Sequence, residues 1–267
     1  MTQSPQPASS FTERLTELTP IAGRGSVTRF SDKSGYATPI GKLSSTTTVL
    51  SRTSKGKERL EKWLANPANA SVSESARNRG TWLHTCNETW LEAQKAGKEL
   101  PDFKHFAYGA YWRSMKPFLE RHMVQMIAQE LAVWHPGLHV AGQFDCLGYC
   151  SYTEQEGVSE EEAANMTTLL DWKTSQNFRG HRNGKFRDKD GKPSDLVDDY
   201  FHQLGCYSMM IEYCYGVKPD RALLVIARPN KDWPDIWELT GDELSEYGKR
   251  FMYRANSFFT CEEGYES

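Results

Sequence analysis

Residues 139–150, HVAGQFDCLGYC, and residues 167–175, TTLLDWKTS, decide how this 267-residue chain is read. Successive side chains of a β-strand point to opposite faces. On the first stretch Gln143, Asp145, Leu147 and Tyr149 share one face, and Phe144, Cys146, Gly148 and Cys150 share the other. On the second, Leu169, Asp171 and Lys173 share a face, with Leu170 and Trp172 opposite. Paired as neighbours, the two strands bring Asp145, Asp171 and Lys173 to one spot. Two carboxylates and an ammonium beside apolar residues are costly to hold in a sheet without a compensating partner. A divalent metal and a phosphate would supply one. Hard oxygen ligands select Mg2+ or Mn2+, and such an ion lowers the pKa of a bound water and steadies charge on a phosphoryl oxygen. Lys173 is a compact positive charge two residues from a ligand, placed to orient an attacking water or to offset transition-state charge. The bland alternative makes Asp145 a strand end and Asp171–Lys173 a surface pair.

Composition sets outer bounds. Hydrophobic residues are 38% and charged residues 25% of the chain, ordinary values for a globular protein. No apolar run approaches a membrane span. Residues 1–20 lack a charged segment followed by an apolar one, and Glu13 and Glu17 argue against a mitochondrial transit peptide. A soluble, cytoplasmic protein without membrane partners is expected. The net charge of −3 does not exclude nucleic acid, because local charge governs phosphate contacts. Six cysteines without a CxxC pair read as small buried hydrophobes.

Along the chain, residues 1–40 are rich in Ser, Thr, Pro and Gly and read as a mobile or loosely packed arm, whose Arg24, Arg29 and Lys33 either touch nucleic acid or are solvated. Residues 41–260 read as one domain. Ser45 or Thr46 caps a helix carrying Val49, Leu50, Leu60, Trp63 and Leu64, interrupted near Gly56. A second helix is capped by Ser73, with Trp82, Cys86 and Trp90 on one face and Gly80, His84 and Glu88 on another. Gly80 there suits a close backbone approach. Residues 101–123 read as a further helix, kinked near Pro117, whose aromatics either pack or stack bases. Residues 124–136 alternate as a strand bearing Glu130. The insert 151–166 carries Glu154, Glu156, Glu160, Glu161 and Glu162 and reads as a solvated acidic loop. After the DWKTS strand, Arg179, Arg182, Lys185 and Arg187 stand in a Gly-rich segment suited to nucleic-acid backbone contacts. The next helix has Leu196, Phe201, Leu204 and Ile211 inward and Gln203 and Tyr207 together on a face. Strands at 221–230 and 235–240 and a closing helix end the domain.

GQFDCLG followed by LLDWKTS resembles the core of the PD-(D/E)xK nuclease superfamily, in its RecB-like exonuclease branch. The resemblance implies an α/β fold with a restriction-endonuclease-like core, a mixed central sheet flanked by helices. It also implies metal-dependent phosphodiester hydrolysis. GTWLH at 80–84 matches the G-x-x-x-H motif of that branch, and QLGCY at 203–207 matches its Q-x-x-x-Y motif. The Ser/Thr-rich start at 44–48 is similar to the mitochondrial genome maintenance exonuclease group and its phage and bacterial relatives. The resemblance implies that His84, Asp145 and Asp171 bind Mg2+ or Mn2+, with the backbone carbonyl of Trp172 as a further ligand. By the same resemblance Lys173 positions the water, while Gln203 and Tyr207 organise the site. Taken alone, His84 also fits a hydrogen-bonded histidine on a half-buried face. Glu130, where the family often has a glutamate near the metals, is either a site residue or an exposed edge-strand glutamate. Glu88 is a further ligand, an orienter of His84 or a surface carboxylate. Some relatives hold an iron–sulfur cluster through a C-terminal cysteine trio; only Cys261 lies there, so none is expected. The expected activity is a DNA exonuclease acting on ends or single strands in replication, repair or recombination, alongside proteins of those processes. The alternatives are a metal-dependent endonuclease and a non-cutting nucleic-acid-binding protein of the same fold.

Overall fold

Two long antiparallel strands, β4 (Met123–His135) and β5 (Val140–Cys150), form the spine of the molecule. Both are rich in branched and aromatic residues, which suit a pleated, buried surface. β4 carries two register irregularities, between Met123 and Gln125 and between Met126 and Ala128. Gly148 faces them, and a Cβ at that position would come within 2.5 Å of the Gln125 carbonyl oxygen. The computed structural model describes residues 14–25, 27–32, 35–54, 57–176 and 195–263, apart from the side chains of 59, 60, 63 and 261–263.

Among the described residues eight strands form one mixed sheet. β6 (Thr167–Thr174) lies antiparallel to β5, and β7 (Arg221–Ala227) runs parallel to β6. β8 (Asp235–Thr240) closes that side, antiparallel to β7. At the other side β1 (Thr28–Arg29), β2 (Tyr36–Thr38) and β3 (Gly41–Ser45) form a small meander, and β3 joins β5 in parallel. Helices cover both faces. On one face α1 (Thr46–Thr53), α6 (Asp195–Tyr215) and α7 (Gly241–Glu263) enclose Leu147, Leu169 and Leu224. On the other, α3 (Ala70–Lys95) and α4 (Gly109–His122) enclose Cys146, Leu170, Trp172 and Val225. Two short helices remain, α2 (Lys57–Leu64) and α5 (Glu160–Ala163). The α/β architecture with a mixed sheet between helices is the one the sequence implies.

Local chemistry explains most boundaries. Ser45 caps α1 by accepting from the Thr48 N–H at 3.0 Å. α1 stops at Thr53, ahead of Gly56. α3 starts at Ala70, three residues before the expected Ser73 cap, because the turn at residues 67–69 leads straight into it. Leu83, Cys86 and Trp90 form its buried stripe, while Trp82 is only half-buried. Residues 101–108 are irregular rather than helical. Asp102 there accepts from Trp112 Nε1 at 3.1 Å and from Lys116 at 3.2 Å, tying this segment to α4. Tyr111, Trp112 and Phe118 are core residues, as packing favours, and Phe106 is fully exposed. On α6 the inward residues are Val197, Phe201, Leu204 and Ile211; Leu196 is exposed, contrary to expectation. Cys86, Cys146, Cys150, Cys206 and Cys214 are free and buried.

Two larger corrections concern segments whose composition reads as loose. The described part of the arm is largely exposed but is held by single contacts. The Leu15 N–H donates to the Tyr149 hydroxyl, Arg24 lies over the Tyr213 ring at 4.4 Å, and Tyr36 is buried. These contacts come one residue at a time, so no periodicity announces them. The acidic insert exposes Glu154, Glu156, Glu160, Glu161 and Glu162 as expected, but its backbone is held to the domain. Ser159 and Glu162 form a capping box on α5, and Ala163 is buried. The fully buried Arg221 guanidinium donates to the carbonyls of Cys150, Tyr152 and Ala163, and pairs with Glu238 at 2.7 Å. Glu238 in turn accepts from Thr153, the Glu154 N–H and Gln155. No helix among the described residues is long and apolar enough to cross a membrane.

Where α6 crosses α7, Gly205 faces Gly248. A Cβ on Gly205 would lie 2.3 Å from the Gly248 nitrogen and 2.6 Å from the Tyr247 carbonyl carbon, so backbones would have to part. Gly205→Ala is expected to destabilise the protein by about 1–3 kcal/mol or more. Gly80, by contrast, has nothing within 4 Å of its would-be Cβ, so the expected close approach is absent. Gly80→Ala should therefore stabilise α3, by about 0.5–1 kcal/mol. Urea denaturation of the two variants checks both signs.

Candidate active site

β4 occupies one edge of β5 along its whole length. The other edge is shared: β6 pairs with residues 146–149, and β3 pairs with residues 140–141. Residues 142–145 are left without a strand partner on that edge. β6 leaves β5 after the Cys146↔Leu170 pair and continues alongside β7 to Thr174↔Ala227. Asp145 and Asp171 are the next residues beyond that last pair, one on each strand.

Parting the strands frees the backbone N–H and C=O of Trp172 from the β5 ladder. Its N–H donates to Asp145 Oδ2 at 2.7 Å. Its carbonyl oxygen lies 3.0 Å from His84 Nε2, which also stands 3.7 Å from Asp145 Oδ2. On the other side of the ring His84 Nδ1 lies 3.4 Å from Glu130 Oε1. His84, Glu130 and Asp145 each offer one donor atom within 4.8 Å of the other two, a cluster able to hold a metal ion. Burial by itself would lower the pKa of His84. The Asp145 and Glu130 carboxylates outweigh that and push it up to about 9. A cation arriving here would displace that proton, since imidazole ligates only when neutral.

Asp171 stands apart from this trio. It is almost fully buried, and its carboxylate contacts the Lys173 ammonium. Apart from that ammonium, neither oxygen has a hydrogen-bond partner among the described residues. Burial raises the Asp171 pKa, with Lys173 opposing. Burial would lower that of Lys173, but Asp171 and Asp145 hold it above the ordinary lysine value. The back of the Lys173 ammonium lies 5.1 Å from the Tyr200 ring.

The close trio and Lys173 open into one polar cleft of about 470 Å³. His84, Glu88, Glu130, Asp145, Lys173, Gln203 and Tyr207 line it. Gln203 Nε2 donates to the Tyr207 hydroxyl at 3.0 Å. Burial raises the pKa of Glu88, and Glu130 adds to that, but Glu88 is outside the close trio. Arg179, Arg182, Lys185 and Arg187 lie outside the described residues. A second cavity, of about 440 Å³, lies between α1, α6 and α7. Arg254 engages Asp199 there at 2.7 Å, and no metal-holding cluster forms in it among the described residues.

Further residues line the cleft. Arg29, which the sequence left between nucleic-acid contact and solvent, and Tyr36, which it did not single out, come from the first strands; Ser45, Thr46 and Thr47 come from the Ser/Thr-rich amino end of α1. First-turn N–H groups of a helix lack intrahelical partners, the usual chemistry of anion binding; here Ser45 takes that of Thr48. Gly142 is tightly enclosed. A Cβ there would come within 2.6 Å of the Tyr207 ring and 3.0 Å of Thr46 Oγ1. Two missed residues did carry a signal. Gln143 shares the face of Asp145, and Tyr200 stands at i, i+3, i+7 spacing with Gln203 and Tyr207.

No known family model matches the chain, and no curated protein does. Among solved structures it is similar to SSO0001, at 12% identity over 78% of this chain and 74% of that one, with a TM-score of 0.34. It is also similar to a "putative exonuclease" of Eubacterium rectale, at 15% identity over 68% of each chain, with a TM-score of 0.37.

The Lys173–Asp171 contact gives a pH-dependent prediction. Lys173→Met leaves a buried carboxylate uncompensated, which costs about 3–5 kcal/mol when it is ionised. Asp171 already titrates above its ordinary value, and the variant moves it further up. A raised carboxylate pKa makes the folded state bind protons that the unfolded state has lost. The deficit of Lys173→Met should therefore grow from pH 5 to pH 8 and shrink on acidification. Denaturant unfolding at both pH values measures it.

Proposed function

We propose that the chain is a Mg2+- or Mn2+-dependent deoxyribonuclease with a PD-(D/E)xK core, acting on DNA ends or single strands. The observation that carries this reading is the convergence of His84 Nε2, Asp145 Oδ2 and the Trp172 carbonyl in one cleft with Lys173. The element order α3, β4–β5–β6, α6, β7 also follows the core that the motifs imply. The donor set suits the ion: one imidazole nitrogen with carboxylate and carbonyl oxygens, and a further buried carboxylate, Asp171, across from Asp145. A divalent ion held there supplies Lewis acidity toward a phosphoryl oxygen and lowers the pKa of an attendant water.

The protein's own groups do the rest. Lys173, kept charged by Asp171 and Asp145, stands at the cleft wall to hold a water or to offset charge on the phosphoryl group. Gln203 and Tyr207 offer an amide and a hydroxyl to phosphate oxygens, already joined to each other. The amino end of α1 supplies N–H groups for a neighbouring phosphate. Tyr207 is kept protonated by its burial and so can only donate to, or accept from, such a group as a neutral phenol.

The test is cleavage of end-labelled single- and double-stranded DNA with Mg2+. Activity should stop with EDTA, and closed circular single strands should be spared. Asp171→Ala and Lys173→Ala should each lose at least about a hundredfold in turnover while DNA binding persists. Wild-type turnover in either variant would overturn the assignment, and cutting of circles would make the enzyme an endonuclease.

A further inference from the structure

The cluster of His84, Glu130 and Asp145 admits two arrangements: all three bind the ion, or one acts through another. The directions of the His84 nitrogens separate them. Nε2 faces the Trp172 carbonyl at 3.0 Å and Asp145 Oδ2 at 3.7 Å, while Nδ1 faces Glu130 Oε1 at 3.4 Å. A neutral imidazole has one lone pair for a cation and one N–H to donate. With Nε2 turned to the other two oxygen donors, Nδ1 is the N–H and Glu130 its acceptor.

Glu130 is itself held from behind. Gln143 Nε2 donates to Glu130 Oε2 at 2.7 Å and to the Glu130 carbonyl oxygen at 3.0 Å. One carboxylate oxygen thus faces an amide and the other a ring nitrogen. The backbone of Glu130 is left-handed, with φ of 47°. A non-glycine residue there is strained and persists only where its surroundings over-determine it. The paired Gln143 bonds are those surroundings.

We propose that Glu130 is a positioning residue and not a metal ligand. Gln143 fixes Glu130, Glu130 fixes the tautomer and tilt of His84, and His84 Nε2 joins Asp145 and the Trp172 carbonyl around the ion. Carboxylates behind metal-binding histidines act in this way elsewhere, and their loss typically weakens metal binding about 10–100-fold. The inference rests on the metal-dependent reading above.

Mn2+ titration of the full chain, followed by the electron paramagnetic resonance of the free ion, tests it without recourse to activity. Glu130→Ala and Gln143→Ala should weaken Mn2+ binding about 10–100-fold. Glu130→Gln keeps an oxygen able to accept from Nδ1–H and should recover most of the affinity. His84→Ala, lacking a ligand, should bind far more weakly than Glu130→Gln. The nitrogen hyperfine coupling of bound Mn2+ should persist in Glu130→Gln and vanish in His84→Ala. If Glu130→Gln loses Mn2+ as fully as His84→Ala, Glu130 is a ligand and the inference fails. If Glu130→Ala binds like wild type, there is no positioning role. A wild-type chain that binds no Mn2+ overturns the metal reading and this inference with it. Should Glu130→Ala not fold, the comparison of Glu130→Gln with His84→Ala still decides.

Discussion

A peptide group released from a sheet must find other partners, because a buried N–H or C=O left unpaired is costly. At Trp172 that requirement is met by side chains from two other elements, Asp145 of β5 and His84 of α3. The joint where β6 leaves β5 is therefore also the joint of the candidate site. Had the two strands stayed paired to their ends, the Trp172 N–H would face the β5 backbone and Asp145 would have no donor. The divergence exposes two backbone dipoles and fixes the carboxylate and the imidazole around them. Fold and chemistry meet in the backbone of a single residue, Trp172.

The site also depends on how closely the layers approach. Gly142 lets the Tyr207 ring and Thr46 settle against the open edge of β5. Gly205 and Gly248 let α6 lie against α7, which sets where Gln203 and Tyr207 stand. On the opposite face, Leu83, Cys86 and Trp90 anchor α3 in the core and so place His84 at the rim. Residues far apart in the chain reach one cleft because each carrying element buries a well-defined apolar stripe.

Alternation of side chains was enough to put Asp171 and Lys173 on one face of their strand, and the pairing of β5 with β6 brings Asp145 next to them. Helical spacing was enough to pair Gln203 with Tyr207. Both come from periods that a single strand or helix imposes on its own residues. What could not be read lies between elements. The branching of β5 between β3 and β6 depends on non-local pairing. The left-handed backbone of Glu130 has no marker, since glutamate rarely adopts it. Asp171 looked equivalent to Asp145 in sequence, yet contacts Lys173 rather than His84. The first strands and the acidic insert looked loose by composition, because their order comes from single long-range bonds to Tyr149, Tyr213 and Arg221.

The environment of Arg221 bears on how this domain can change over evolutionary time. The Cys150 carbonyl at the end of β5 and the Tyr152 and Ala163 carbonyls of the β5–β6 connection converge on one guanidinium, and Glu238 ties the same connection to β8. Shortening that connection would strand both an internal cation and its anion in the dry interior. A homologue with a tighter turn is therefore expected to differ at position 221 and position 238 together. Such joint substitution would mark, in any set of descendants, which lineages retain the long crossing.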